Sequence, residues 1–191
     1  MSRYEWDRDP KRIGFILARY KFVSKMLAGK KCVLEVGCAD GFGARVVRQT
    51  VGGLSAIDID QQSIDEAIEG NKNFSLPIDF YCANAFDCKP NWDAVYSLDV
   101  LEHISPAETA KFLTTLSRCA PVCIIGTPSL ESQQYASALS KVGHINCMGG
   151  DELQKLCRSY WSHVFMLGMN DETLHTGFMP MSHYLLALCV R

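Results

Sequence analysis

The sequence predicts an α/β fold: a doubly wound, seven-stranded sheet, mainly parallel, closed by an antiparallel C-terminal hairpin. Three observations predict it. Short apolar runs alternate with segments of helical period, the pattern of a parallel sheet covered by helices. A glycine-rich turn directly follows the first run. The last two runs are joined by a polar connection, 170–182, with no helical segment, and strands joined that way pair antiparallel.

The elements follow in order. Asp9 is placed to cap a first helix and Pro10 suits its first position. Ile13, Ile16, Leu17, Tyr20, Val23 and Leu27 keep the helical period, and Gly29 ends the segment. Strands are predicted over 31–36, 54–58, 78–81, 94–98, 122–126, 163–167 and 183–190. Helices are predicted from about Phe42, over 61–69 with Asp60 as its cap, after the capping box Ser105-Pro106-Ala107-Glu108, and over 151–160. The stretch from Leu130 to Gly150 is too long for an ordinary strand-to-helix connection. It reads as a lid over 128–150 on the acceptor side, with a short helix around 134–141.

The chain has 191 residues, which fits one domain over 1–191 with an N-terminal helix in 1–29. Apolar residues make up 48% and charged residues 21%, which excludes intrinsic disorder. No apolar run approaches the ~20 residues of a membrane helix. The charged start has no signal-peptide core, so the expectation is a soluble, cytoplasmic protein without membrane insertion. Nine cysteines without a Cys-x-x-Cys pair read as buried, reduced thiols, Cys32, Cys82, Cys123 and Cys189 among them. The net charge of −2 hides an asymmetry, because residues 1–31 carry nine lysines and arginines against three acids. That segment could draw in an anionic ligand, but the acidic remainder argues against a broad nucleic-acid surface.

In an open sheet of this kind ligands bind beyond the carboxyl ends of the strands. The first strand runs into Glu35-Val36-Gly37-Cys38-Ala39-Asp40-Gly41-Phe42-Gly43. The dinucleotide pattern G-x-G-x-x-G fails here from Gly37, where Phe42 takes the third place, and from Gly41, where Val46 does. An acid two residues before Gly37 disfavours a pyrophosphate and favours a ligand with an ammonium or sulfonium. Asp58, ending the second strand, is placed to accept both hydroxyls of a ribose.

Glu35-x-Gly37-x-Ala39-x-Gly41 followed by Asp58 resembles the class I S-adenosylmethionine-dependent methyltransferases, a Rossmann-like fold family. Cys82-Ala83-Asn84-Ala85 is similar to the segment that reads adenine in that family. Asp93 to His103, Gly126-Thr127-Pro128 and Gly143-His144-Ile145-Asn146 resemble the branch with ubiquinone-biosynthesis and glycan-modifying members. Arg19-Tyr20 resembles an N-terminal element that closes over the methionine end in some members. The resemblance implies S-adenosylmethionine as cofactor and S-adenosylhomocysteine as product. It implies Arg19, Glu35, Gly37, Cys38, Ala39, Asp58, Ile59, Asn84, Ala85 and Leu98 as the binding residues. Ala39 in place of a glycine is tolerable if its φ is negative, and Asn84 replaces the commoner Asp.

Asp99, Glu102 and His103 stand at i, i+3 and i+4, so a helical turn would put them on one face. With His144 they could hold a divalent ion, supply a general base without metal, or be structural. The site expectation is catalysis by Asp99, Glu102, His103 and His144 without a committed metal. The functional expectation is methyl transfer to a hydroxyl of a small molecule or glycan precursor. A non-catalytic cofactor-binding subunit, a metal-assisted RNA 2′-O-methyltransferase and an NAD oxidoreductase are the alternatives.

Overall fold

The structure is a computed structural model and describes residues 9–191. Its centre is one eight-stranded sheet of order β3-β2-β1-β4-β5-β8-β6-β7. The strands are β1 (Cys32–Val36), β2 (Gly53–Asp58), β3 (Asp79–Cys82), β4 (Ala94–Leu98), β5 (Val122–Pro128), β6 (His163–Asn170), β7 (Thr173–His175) and β8 (Tyr184–Val190). β1 to β5 run parallel, whereas β8 lies antiparallel between β5 and β6. The seven predicted strands are present. The eighth, β7, is three residues long and pairs with the end of β6. It formed from the polar connection that carried no strand pattern.

The helices are α1 (Pro10–Met26), α2 (Ala44–Arg48), α3 (Gln61–Asn71), α4 (Thr109–Cys119), α5 (Ala138–Gly143) and α6 (Gly150–Cys157). One face of the sheet is covered by α1 and α2 through Tyr20, Val23, Leu27 and Val47, packed on Val33, Tyr96 and Ile124. The other face is covered by α4 and α6 through Phe112, Leu113, Leu116 and Leu153, packed on Leu34, Val95 and Ile125. Strands buried on both faces read as continuous apolar runs, which is why 94–98 and 122–126 were visible in the sequence.

Several local expectations are corrected. Asp9 precedes α1 but makes no side-chain cap, although Pro10 does open the helix. Asp60 does cap α3, accepting from Ser63 N at 2.9 Å. In the predicted capping box, Ser105 Oγ donates to Glu108 Oε2 at 2.8 Å, so the two side chains bond each other, and α4 begins at Thr109. Cys32 and Cys82 are exposed, not buried. Cys82 lies on β3, the edge strand, and Cys32 opens β1 before the covered zone. No helix among the described residues is long and apolar enough to cross a membrane.

Candidate active site

β1 pairs with β2 on one side and β4 on the other, so the strand order reverses at β1. Connections leaving β1 and β4 diverge there and open a crevice at their carboxyl ends. A cavity of about 630 Å³ occupies it. Its lining takes in Arg19, Gly37, Cys38, Ala39, Asp58, Ile59, Asn84, Ala85 and Leu98 of the expected cofactor-binding set. The same lining takes in Asp99, Glu102, His103 and His144 of the expected catalytic set. Of the predicted residues only Glu35 is absent from the wall.

Glu35 lies beneath the wall, 1% exposed, where Tyr20 Oη donates to Oε1 at 2.9 Å and Tyr96 Oη to Oε2 at 2.8 Å. Burial pushes its carboxyl up to about 7, against the pull of the two hydroxyls. The acid expected to face a ligand cation therefore supports the wall from behind.

The glycine-rich turn is shaped by close approach. Gly37 has φ +83°, and a Cβ there would stand 2.1 Å from Val100 Cγ2. A Cβ on Gly43 would stand 2.2 Å from the Tyr20 ring. Ala39 has φ +46°, so the condition of a negative φ is not met. The left-handed conformation turns Ala39 N to Asp58 Oδ2, 2.9 Å away. That bond and one from Asp60 N to Oδ1 at 3.0 Å fix the Asp58 carboxylate at the rim. Each oxygen keeps acceptor capacity for a ribose hydroxyl. Asn84 Oδ1 accepts from Phe86 N at 3.0 Å, starting the 3₁₀ turn Ala85–Asp87, so its side-chain oxygen is already engaged. Ile59, 73% exposed, offers an apolar platform beside Asp58.

After β4 the chain departs from a simple helical face. Asp99 has φ +56°, and a 3₁₀ turn follows over Leu101–His103. The turn separates Asp99 from the others. Arg19 Nη1 donates to its two oxygens at 3.0 and 2.9 Å. Glu102, His103 and His144 converge instead, with ligand-type atoms all within 4.8 Å of one another. The segment 128–150 brings His144 there. Ile145 N and Asn146 N both donate to Glu102 O, at 2.9 and 3.0 Å, and Asn146 Nδ2 donates to Thr109 Oγ1 at 2.8 Å. The expected lid segment folds as a 3₁₀ turn, Glu131–Tyr135, followed by α5, two elements where one helix was expected.

The two imidazoles are oriented alike. His103 Nδ1 lies 2.9 Å from Gly143 O, a carbonyl, so Nδ1 carries the proton. His144 Nδ1 lies 2.9 Å from Gln133 Oε1, whose amide is set by its Nε2 donating to Ser129 O. Nε2 of each ring is thus left as an acceptor or base. The rings meet edge to face at 5.2 Å. Partial burial, then the neighbouring His103, lowers the His144 pKa, keeping it neutral. Glu102 is 1% exposed and accepts from Thr127 Oγ1 at 3.0 Å. Burial, then Asp99, pushes its carboxyl up to about 8.

Arg12, Ile16, Tyr20, Phe86 and Ile104 also line the cleft. Arg12, Ile16, Arg19 and Tyr20 share one face of α1 by helical spacing, the available sequence signal. Phe86 and Ile104 lie in turns with no periodicity to mark them.

Residues 33–120 match the family model for a methyltransferase domain. The ubiquinone biosynthesis O-methyltransferase of Chromobacterium violaceum is 26% identical, the match covering 88% of this chain and 87% of that protein. Among solved structures, the methyltransferase domain of bacterial CtHen1 superposes with a TM-score of 0.76 at 17% identity, covering 92% of this chain and 98% of that one. The N-methyltransferase NodS from Bradyrhizobium japonicum WM9, in complex with S-adenosylhomocysteine, superposes at 0.68 and 15% identity, covering 100% and 92%. The fold is that of class I S-adenosylmethionine-dependent methyltransferases, and the match over residues 33–120 supports that class. The methyltransferase-domain match and the S-adenosylhomocysteine held by NodS support S-adenosylmethionine as the cofactor.

Proposed function

We propose that the protein methylates a hydroxyl of a small molecule with an apolar body. The observation that carries this reading is the pair His103 and His144, each with Nδ1 pinned by an oxygen and Nε2 left as a base at the carboxyl end of β4. A neutral imidazole within hydrogen-bond reach of a hydroxyl raises its nucleophilicity, a contribution of about 10²–10⁴-fold. The cofactor supplies an electrophilic methyl on a sulfonium. The protein's part is to align the acceptor oxygen with that carbon, to take its proton on Nε2, and to exclude water. Alignment alone is worth up to ~7–11 kcal/mol.

Apolar exposure on the lid supports the apolar body. Leu139 is 84% and Val142 78% exposed on α5, immediately before His144, and Tyr135 and Ile145 are exposed on either side. These side chains lie outside the cleft lining but in the same segment as His144, where the apolar body of a bound acceptor would meet them. The similarity to the Chromobacterium ubiquinone biosynthesis O-methyltransferase supports the hydroxyl.

A second reading rests on the cluster itself. Two imidazole nitrogens and a carboxylate, close together, are a donor set that suits a divalent ion. Glu102, His103 and His144 would hold the ion, which would supply Lewis-acid activation of the acceptor oxygen. Asp99, engaged by Arg19, stands outside this set.

The test is transfer from methyl-labelled cofactor to a panel of alkyl phenols, free sugars, amines and RNA, each with and without EDTA. The proposal expects labelled aryl ethers, unaffected by EDTA. Loss of transfer with EDTA selects the metal reading. Transfer confined to amines or RNA overturns the proposal.

A further inference from the structure

His144 is held from two directions. The chain just after it is tied to the turn that follows β4, because Ile145 N and Asn146 N both donate to Glu102 O. The ring itself is met by Gln133, from the 3₁₀ turn Glu131–Tyr135, whose Oε1 lies 2.9 Å from Nδ1. Gln133 is anchored in turn on Ser129, where its Nε2 donates to the carbonyl oxygen at 3.2 Å. A carbonyl only accepts, so the amide turns its nitrogen to Ser129 and its oxygen to His144.

Ser129, directly after β5, is a firm anchor. It is fully buried. Its N donates to His183 O at 3.1 Å and its Oγ to Ser182 O at 2.6 Å, both at the start of β8. Its Oγ accepts from Ser132 N at 3.0 Å, and its carbonyl takes a second bond, from Ser132 Oγ at 2.8 Å. Ser132 and Gln133 thereby use both lone pairs of that carbonyl. A buried polar group with every bond made is rigid. A chain of bonds thus runs from the sheet, through Ser129 and Gln133, to one nitrogen of one ring. In a neutral imidazole the bond made by one nitrogen decides which of the two carries the proton.

We propose that Gln133 is the positioning residue of His144: anchored on Ser129, it fixes the Nδ1–H tautomer and so keeps Nε2 as the nitrogen that takes the acceptor's proton. Gln133 does not line the cleft and acts only through the ring. Its amide does this without adding a charge beside the buried Glu102, which a carboxylate at the same place would do. His103 needs no such residue, because its Nδ1 is held by a main-chain oxygen, Gly143 O. The two rings therefore owe their tautomers to different parts of the chain, and a substitution at 133 reaches only one of them. This inference rests on the proposed function and deepens it.

The first readout is the tautomer itself, by nitrogen NMR of protein labelled on its histidine ring nitrogens, at about pH 8, above the ordinary imidazole range. His144→Gln and His103→Gln assign the two rings. The wild-type protein should show His144 with a protonated Nδ1 and a bare Nε2. Gln133→Leu should shift His144 toward Nε2–H and leave His103 unchanged. Gln133→Glu, whose carboxylate still accepts from Nδ1–H, should restore the wild-type pattern. The second readout is transfer to the most active alkyl phenol. Gln133→Leu should lower kcat about ten- to a hundredfold, and Gln133→Glu should recover most of it. Affinity for S-adenosylhomocysteine should stay at the wild-type value in both variants, which also reports that each is folded. A wild-type His144 protonated at Nε2 overturns the inference. So does a Gln133→Leu variant with an unaltered tautomer, with an unaltered kcat, or with His103 changed as well. If the wild-type protein transfers to no phenol, the proposed function fails and the kinetic role of Gln133 falls with it, while the NMR readout still reports whether Gln133 sets the ring.

Discussion

Tyr20 of α1 gives its hydroxyl to Glu35 of β1 at 2.9 Å, while its ring fills the space that a side chain at position 43 would need. One aromatic residue therefore joins the N-terminal helix, the first strand and the glycine-rich turn. Tyr20→Phe removes a donor from a buried carboxyl and keeps the ring. It should cost about 1–3 kcal/mol in urea unfolding. Gly43→Ala forces the ring aside and should weaken cofactor binding as well as stability.

The same carboxyl makes stability depend on pH. Glu35 holds its proton up to about 7, above its ordinary value, because burial outweighs the Tyr20 and Tyr96 hydroxyls and Asp58 and Asp40 add repulsion. The folded state binds more protons than the unfolded chain between the ordinary carboxylate value and about 7. Glu35's contribution to stability is thus complete below that range and is lost as pH rises through it. Glu35→Gln, neutral throughout, should flatten the profile between pH 4.5 and 7 by about 3 kcal/mol, measured by urea unfolding at each end.

Ala39 sits at φ +46°. A left-handed alanine costs roughly 1–2 kcal/mol, and glycine carries no such penalty. Ala39→Gly should raise stability by about 1 kcal/mol, offset in part by glycine's greater unfolded-state freedom. It should leave the bond from its backbone N–H to Asp58 in place. Equal or lower stability of the variant would show that the strain is relieved by other means.

On the proposed function, His103 and His144 both act on the acceptor through Nε2. With a suitable acceptor, His144→Ala and His103→Ala should each lower kcat by about 10²–10⁴-fold if that residue is the base. Cofactor affinity should change little on that reading, which gives both rings to the acceptor. Calorimetry with S-adenosylhomocysteine checks the second half of this prediction.

The fold was legible because its central strands are buried on both faces and its helices keep a clear period. β7 was not, since three residues stabilised by pairing with β6 need no pattern of their own. Asp58 and the glycine-rich turn were legible from chemistry and spacing. The placement of Glu35 was not, because only packing shows that two tyrosines, one 15 residues before it and one 61 after, occupy its oxygens. Asp99 was grouped with Glu102 and His103 on helical spacing. A left-handed residue followed by a 3₁₀ turn breaks that spacing, and a backbone reversal of this kind leaves no periodic trace. Tyr184 read as an apolar strand residue, and only the sheet order brings it beneath Arg19.

The central claim is that the crevice between β1 and β4 holds S-adenosylmethionine against Asp58. Thermal unfolding with S-adenosylhomocysteine at ~100 times its Kd, with NAD as control, tests it most directly. The account predicts stabilisation of ~2.7 kcal/mol, a rise of roughly 5–10 °C in Tm, that vanishes in Asp58→Ala and is not produced by NAD. A shift with NAD alone, or one that survives Asp58→Ala undiminished, would contradict it.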